Sequence, residues 1–327
     1  MKIVFDLNSN VPFYRMPSDI FAALVETLPD HKLLRVKHTD LSREIEDADI
    51  VVSYWLPPNI FKKAKNLKAI FYAIDGVGYE HLYPEILDSD VIVTNSGGCR
   101  SQAIAEHAFA LMLSSSRQIV RSNGNMTAKD WWGNSLATEG FAPKEISGKT
   151  IAILGLGRVG KKIAKIAKLG FDMKTLGIKR TQEPVEFVDE VYSMSSLLDV
   201  LAKSNIVVCA LPKTELTELS LNSRALSQIN SVSIFVNISR GDLVDEEALI
   251  SSIKAGRITN AGLDVFDTEP IDPNSPLLSM PQIITTPHSA GMTPEFWPRF
   301  ARLVRENIIR MSNSETPTNI VDKQLGY

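Results

Sequence analysis

The sequence predicts an α/β fold of two domains, each built on a parallel sheet. Two observations carry this. Short β-branched and aromatic runs alternate with helix-patterned stretches along nearly the whole chain, as strand–helix–strand units require. The alternation also occurs twice, in two series separated by a long helical stretch and an irregular region. The 327 residues are enough for two ordinary domains with full cores.

In the first series "KIVFDLN" reads as a strand, and "PSDIFAALVETL" follows at helical spacing with Ser18 as its N-cap. "ADIVVSYW", "LKAIFYAI" and "VIVTNSGG" read as further strands, the last ended by Gly97 and Gly98. A long helix is expected over residues 101–121. Residues 122–147 read as irregular and hold Trp131, Trp132, Gly133 and Pro143. The second series of strands is "KTIAILGLG", "MKTLGI", "NIVVCALP", "VSIFVNIS", "NAGLDVF" and "QIITTPH". Helical patterns lie between them, including "DEEALISSIKAG" with Asp245 as cap and Gly256 as stop. An amphipathic helix over residues 294–311 closes the chain.

Composition narrows the function. A formal charge of −3 gives no reason to expect a nucleic-acid or membrane surface. No run reaches the roughly 18 apolar residues of a membrane span, and the N-terminal apolar run is too short for a signal peptide. Cys99 and Cys209 lie far apart and form neither a disulfide framework nor a metal cluster. A cytoplasmic protein without a metal centre is therefore expected.

"IAILGLGRVGKKIAKIA" places Gly155, Gly157 and Gly160 in G-x-G-x-x-G spacing between a buried-type strand and an amphipathic helix. That context makes it a dinucleotide turn. Gly155 permits the tight turn, Gly157 lets backbone approach a pyrophosphate, and Gly160 lets helix pack on strand. Arg158 and Val159 stand at the helix N-terminus, whose N–H groups favour phosphate. Rossmann-like or flavodoxin-like domains follow, with the active site expected in the cleft between them. The second strand of this unit ends in "TLGIKRT", and residues 174–181 contain no Asp or Glu. The expected acid would bind the adenosine ribose hydroxyls and repel a 2′-phosphate. Lys179 and Arg180 would attract that phosphate, and Thr181 could donate to it. NADP(H) is therefore expected over NAD(H), which remains an allowed cofactor.

His288 ends an apolar strand in "TTPHSAG", Arg240 stands just past another in "NISRGDLVDEEAL", and "GLDVFDTEP" puts Asp264 and Glu269 at a third. Arg, Glu and His at strand ends form an acid–base and anion-holding set. At these residues the chain resembles the D-isomer-specific 2-hydroxyacid dehydrogenases. "GLGRVG", "ALPKTELT", "NISRGDLVDEEAL", "AGLDVFDTEP" and "TTPHSAG" match that family's motifs in order, and "IDGVGYEHL" and "NSGGCRSQAIAEHAFALML" extend the match to the first unit.

The resemblance implies a substrate domain of residues 1–99 with 290–327, discontinuous, and a dinucleotide-binding domain of residues 100–289. It implies that Arg240 holds the substrate carboxylate and keto oxygen. His288 would be the general acid and base, and Glu269 would orient it; an adjacent carboxylate also favours the protonated imidazole. Asp264 would hold the nicotinamide carboxamide, and Ile238, Ser239 and Ala290 would lie along the cofactor. Leu211, Pro212 and Thr217 would flank the adenosine side, with Thr214 as an addition. Backbone at Val77 and Gly78 would form a second carboxylate clamp. Trp55, beside Tyr54 in "SYWLPPN", resembles the version of this loop in glyoxylate/hydroxypyruvate reductases, where it would either shrink the pocket to suit a small ketoacid or serve only as interdomain packing. Trp131 or Trp132 would either reach a partner's site across a homodimer formed through the cofactor domains or pack in the core, and Trp297 would border the cleft. The alternative from another class is a nucleotide-sensing binding protein of the corepressor type on the same fold.

Overall fold

The computed structural model describes residues 1–78, 80–125, 142–214, 216–230 and 233–325. Trp131 and Trp132 lie outside the described residues. Two compact units divide the chain: Met1–Arg100 with Met292–Tyr327, and Ser101–Gly291.

The first unit holds strands β1 (Lys2–Asp6), β2 (Lys32–Arg35), β3 (Ile50–Ser53), β4 (Ala69–Tyr72) and β5 (Ile92–Thr94). They form one sheet in the order β2-β1-β3-β4-β5, with every pair parallel. This is the flavodoxin-like order. Every residue of β3 and β4 is buried, which is why both read as unbroken apolar runs. The sequence pattern did not single out β2. It is an edge strand, only half buried, and its "KLLR" shows no period. The chain's last long helix, Phe296–Ser312, packs Phe300, Val304 and Ile308 into one cluster with Ile3, Phe5 and Phe71. Trp297 is 4% exposed within that cluster and packs edge-on against Phe296 and Phe300, as a core residue does. Ser18 is not the cap of its helix. Pro17 takes that position, and Ser18 Oγ, at the first turn, accepts from Arg35 Nη1 at 3.2 Å.

The second unit holds β6 (Thr150–Leu154), β7 (Lys174–Ile178), β8 (Glu190–Tyr192), β9 (Ile206–Cys209), β10 (Ser233–Asn237), β11 (Ile258–Leu263) and β12 (Ile283–Thr285). Their order is β12-β11-β10-β9-β6-β7-β8, again parallel throughout. Renumbered from β6, this is the doubly wound order 3-2-1-4-5-6 with one strand added, and its switch point lies between β6 and β9. The missed strand is once more a half-buried edge, β8.

The helix expected over residues 101–121 is broken. It runs Ser101–Ser116, Gln118 turns at φ +56, and a second helix covers Ile119–Asn125. The first of these helices packs close on the sheet. A Cβ at Gly262 in β11 would come within 2.7 Å of Leu111 Cβ, so glycine is what allows the approach. Helix Glu246–Lys254 follows its sequence signals. Asp245 accepts from the Ala248 N–H at 2.9 Å, and Gly256 at φ +72 leads the chain away. Asp245→Ala should cost about 1 kcal/mol. Urea unfolding would measure it, with Glu247→Ala on the same helix as a control.

Candidate active site

Three adjacent strands of the second sheet deliver the reacting side chains. Past β12, His288 Nδ1 lies 2.8 Å from Glu269 Oε2. Glu269 follows β11, and its other oxygen, Oε1, accepts from the Phe266 N–H at 3.0 Å. Its carboxylate is thus held on one side by backbone and on the other by imidazole. A carboxylate that accepts from Nδ1 requires Nδ1 to carry the hydrogen, which leaves Nε2 as the nitrogen for chemistry. The His288 side chain is 49% exposed, so a substrate can reach it.

His288 has a backbone φ of +51, a left-handed conformation that costs a non-glycine residue on the order of 1–2 kcal/mol. Asp264 supplies what holds it there. Its backbone oxygen accepts from the His288 N–H at 2.8 Å. Its Oδ1 accepts from Thr286 Oγ1 at 2.6 Å and from the Ser289 N–H at 2.9 Å, and its Oδ2 from the Ala290 N–H at 3.0 Å. Asp264, at 1% exposure, therefore fastens segment 286–290. The N–H of Ala290, expected along the cofactor, is taken by this carboxylate.

Arg240 lies past β10. Its Nη1 donates to Ser239 O at 2.8 Å, the one side-chain hydrogen bond it makes among the described residues. The turn before it is organised by Asn237. That amide oxygen accepts from the Ser239 N–H at 3.1 Å and Oγ at 2.9 Å, and its Nδ2 donates to Arg240 O at 2.9 Å. The sequence reading passed over Asn237, although an Asn at a strand end before a turn signals such bonding. Ile238 and Ser239 are both buried, at 8% and 7%. Gly241 brings this turn against the β11 loop, because a Cβ there would overlap Phe266 backbone at 1.8 Å.

The glycine turn follows β6. Gly155 sits at φ +102, and an added Cβ would meet Ala210 O at 2.4 Å. A Cβ at Gly160 would meet Gly155 O at 2.0 Å, so this glycine lets the helix Arg158–Phe171 close on the strand. Gly157 differs: among the described residues its Cβ would meet nothing within 4 Å. It is the helix N-cap and has no side-chain capping bond. Space at this helix N-terminus, with Arg158 and Val159 its first residues, suits a pyrophosphate. Past β9, Leu211 is buried, and Thr217 Oγ1 donates to Pro212 O at 2.7 Å and accepts from the Thr214 N–H at 2.9 Å. Past β7, the Lys179 N–H donates to Tyr192 O at 2.9 Å, its Nζ stands 3.8 Å from Glu183, and Arg180 and Thr181 are exposed. Along one sheet edge the order is therefore His288, Glu269, Arg240, Pro212, the glycine turn, then Lys179 and Arg180.

In the first unit, Trp55 is 45% exposed, and its Nε1 donates to Glu80 O at 3.2 Å. Val77 is buried, and Gly78 O accepts from the His81 N–H at 2.9 Å. An added Cβ at Gly78 would meet the Glu80 carboxylate at 2.4 Å.

Residues 109–290 match the family model described as D-isomer specific 2-hydroxyacid dehydrogenase, NAD binding domain. The chain is 34% identical over 291 residues to a glyoxylate reductase of Pyrococcus furiosus, covering 87% of this chain and 85% of that one. It is 32% identical over 307 residues to a glyoxylate reductase of Thermococcus gammatolerans, covering 92% and 90%. Among solved structures, a D-isomer specific 2-hydroxyacid dehydrogenase from Xanthobacter autotrophicus Py2, in complex with NADPH and MES, superposes with a TM-score of 0.82 at 29% identity, covering 100% of this chain and 99% of that one.

The last two glycines of the turn should respond differently to a methyl group. Gly157→Ala should stay within about 1 kcal/mol of wild type. Gly160→Ala should lose about 1–3 kcal/mol to overpacking. Thermal unfolding of both variants checks the contrast.

Proposed function

The chain belongs to the D-isomer specific 2-hydroxyacid dehydrogenase family and is an NAD(P)-dependent oxidoreductase; we propose that it reduces a small 2-ketoacid, glyoxylate or hydroxypyruvate, with NADPH preferred over NADH. The observation that carries the chemistry is the 2.8 Å contact of His288 Nδ1 with Glu269, which leaves Nε2 for the substrate. The glyoxylate reductases among its relatives support the substrate class, and the NADPH complex of the Xanthobacter protein supports the cofactor.

Hydride transfer is the chemistry the nicotinamide supplies when bound. The chain's own residues do the rest. The glycine turn takes the pyrophosphate in the space above Gly157 and at the N–H groups of Arg158, Val159 and Gly160. Lys179, Arg180 and Thr181 take the 2′-phosphate, with Leu211, Pro212, Thr214 and Thr217 beside the adenosine. Arg240, its guanidinium steadied by Ser239 O, holds the substrate carboxylate and the keto oxygen on its remaining N–H groups. As the carbonyl carbon is reduced, negative charge builds on that oxygen, and His288 Nε2 protonates it. Glu269 stabilises the imidazolium and keeps the ring turned. In alcohol oxidation the same nitrogen removes the hydroxyl proton. Asp264 supports His288 by fastening segment 286–290, and one acceptor position of Oδ2 remains for the carboxamide. The backbone of Val77 and Gly78 and the Trp55 indole complete the substrate contacts, and the bulk of Trp55 favours a short side chain.

The double variant Lys179→Ala, Arg180→Ala should raise KM for NADPH by about 10- to 100-fold, the loss of one or two charge-assisted hydrogen bonds. KM for NADH should hardly change. A wild-type enzyme that clearly prefers NADH would reject the cofactor assignment. His288→Gln should lower kcat about 10²–10⁴-fold while NADPH still binds. Glu269→Gln should also lower kcat, because an amide does not stabilise the imidazolium. Initial rates with glyoxylate and hydroxypyruvate test all of this, and a His288→Gln variant with wild-type kcat would remove His288 from its role.

A further inference from the structure

His107 has no part in the chemistry described so far. It lies on the helix Ser101–Ser116 with 21% of its side chain exposed. Its Nε2 is 2.9 Å from Thr286 Oγ1 and 3.5 Å from Asp264 Oδ1. The Thr286 hydroxyl is in turn 2.6 Å from the same Asp264 oxygen.

Counting protons fixes the direction of this chain. A hydroxyl has one proton to give, and a carboxylate only accepts. Thr286 therefore donates to Asp264 and accepts from His107, so Nε2 of His107 must carry a hydrogen. The relay runs from the helix through Thr286 into the carboxylate that also receives the Ser289 and Ala290 N–H groups. A carboxylate at 1% exposure depends on such donors. The helix itself is seated firmly, since Leu111, one turn on, closes against Gly262 of β11.

We propose that His107 is a positioning residue for the reaction. Through Thr286 and Asp264 it holds segment 286–290 in the left-handed turn that presents His288 to Glu269. It touches neither substrate nor cofactor, and its effect is on where the His288 ring stands. This inference rests on the functional reading above for its kinetic consequences, but the hydrogen-bond chain can be observed without turnover.

Two measurements on the same samples test it. A long-range ¹H–¹⁵N spectrum of the histidine rings, assigned with His107→Gln, reports the tautomer of His107 and the surroundings of His288. Kinetics of wild type, His107→Leu and His107→Gln report the consequence. The expected results are a protonated Nε2 on His107 and shifted His288 ring signals in His107→Leu. In that variant kcat for glyoxylate should fall about 10- to 100-fold, with the NADPH Kd and the glyoxylate KM within about twofold of wild type. His107→Gln, whose amide can still donate to Thr286, should recover most of kcat and restore the His288 signals. Thr286→Val should repeat the loss should His107→Leu fold poorly. An unprotonated Nε2 on wild-type His107, or a His107→Leu variant with unshifted His288 signals and wild-type kcat, overturns the proposal. If wild type turns over no ketoacid, the functional reading falls. The His107 tautomer and the His288 signals then still decide the positioning role.

Discussion

Asp264 is almost wholly buried, and a carboxylate so placed must find its hydrogen-bond donors inside the protein. It finds them in one short stretch of chain. The hydroxyl of Thr286 and the N–H groups of Ser289 and Ala290 go to its oxygens, while the N–H of His288 goes to its backbone carbonyl. The same demand that satisfies the charge therefore dictates the conformation of the segment. It also explains how a non-glycine residue is held at φ +51. His288 faces Glu269 because its own backbone has little freedom to do otherwise.

Parallel pairing extends this order across the sheet. Every strand of the second unit points the same way, so every strand's C-terminal loop emerges on one edge. Residues far apart in sequence become neighbours there, at about 4.8 Å per strand. Arg240, Glu269 and His288 occupy three consecutive positions along the edge, and the glycine turn begins beside the switch point. Local side-chain bonding then sets each loop. Asn237 shapes the turn before Arg240, and the Phe266 N–H holds Glu269. Gly241 lets those two loops touch.

The three turn glycines show how unlike reasons can share one motif. Gly155 and Gly160 are required by the protein itself, since a side chain at either would strike backbone oxygen. Gly157 answers to no neighbour among the described residues. A position kept open where the fold makes no demand is what a ligand's approach would need.

Much of this was legible in the residues. The buried central strands announced themselves as apolar runs, because parallel strands covered on both faces have no polar side to show. Asp245 and Gly256 marked their helix ends, since a cap and a left-handed stop depend on one local residue each. Arg240, Glu269 and His288 stood out by their place at strand ends. The half-buried edge strands β2 and β8 were missed because partial burial leaves no clear period. The break at Gln118 was hidden because both flanking stretches are helical in pattern. Trp297 gave no sign of being core, because the partners that enclose it include Phe5 and Phe71, far away in the chain. The relay from His107 through Thr286 to Asp264 spans 179 residues at its first step. Sequence determined which residue types were present and which local turns they favoured. Only the tertiary structure decided which distant donor meets which acceptor, because a hydrogen bond is made at about 3 Å and no spacing along the chain encodes that.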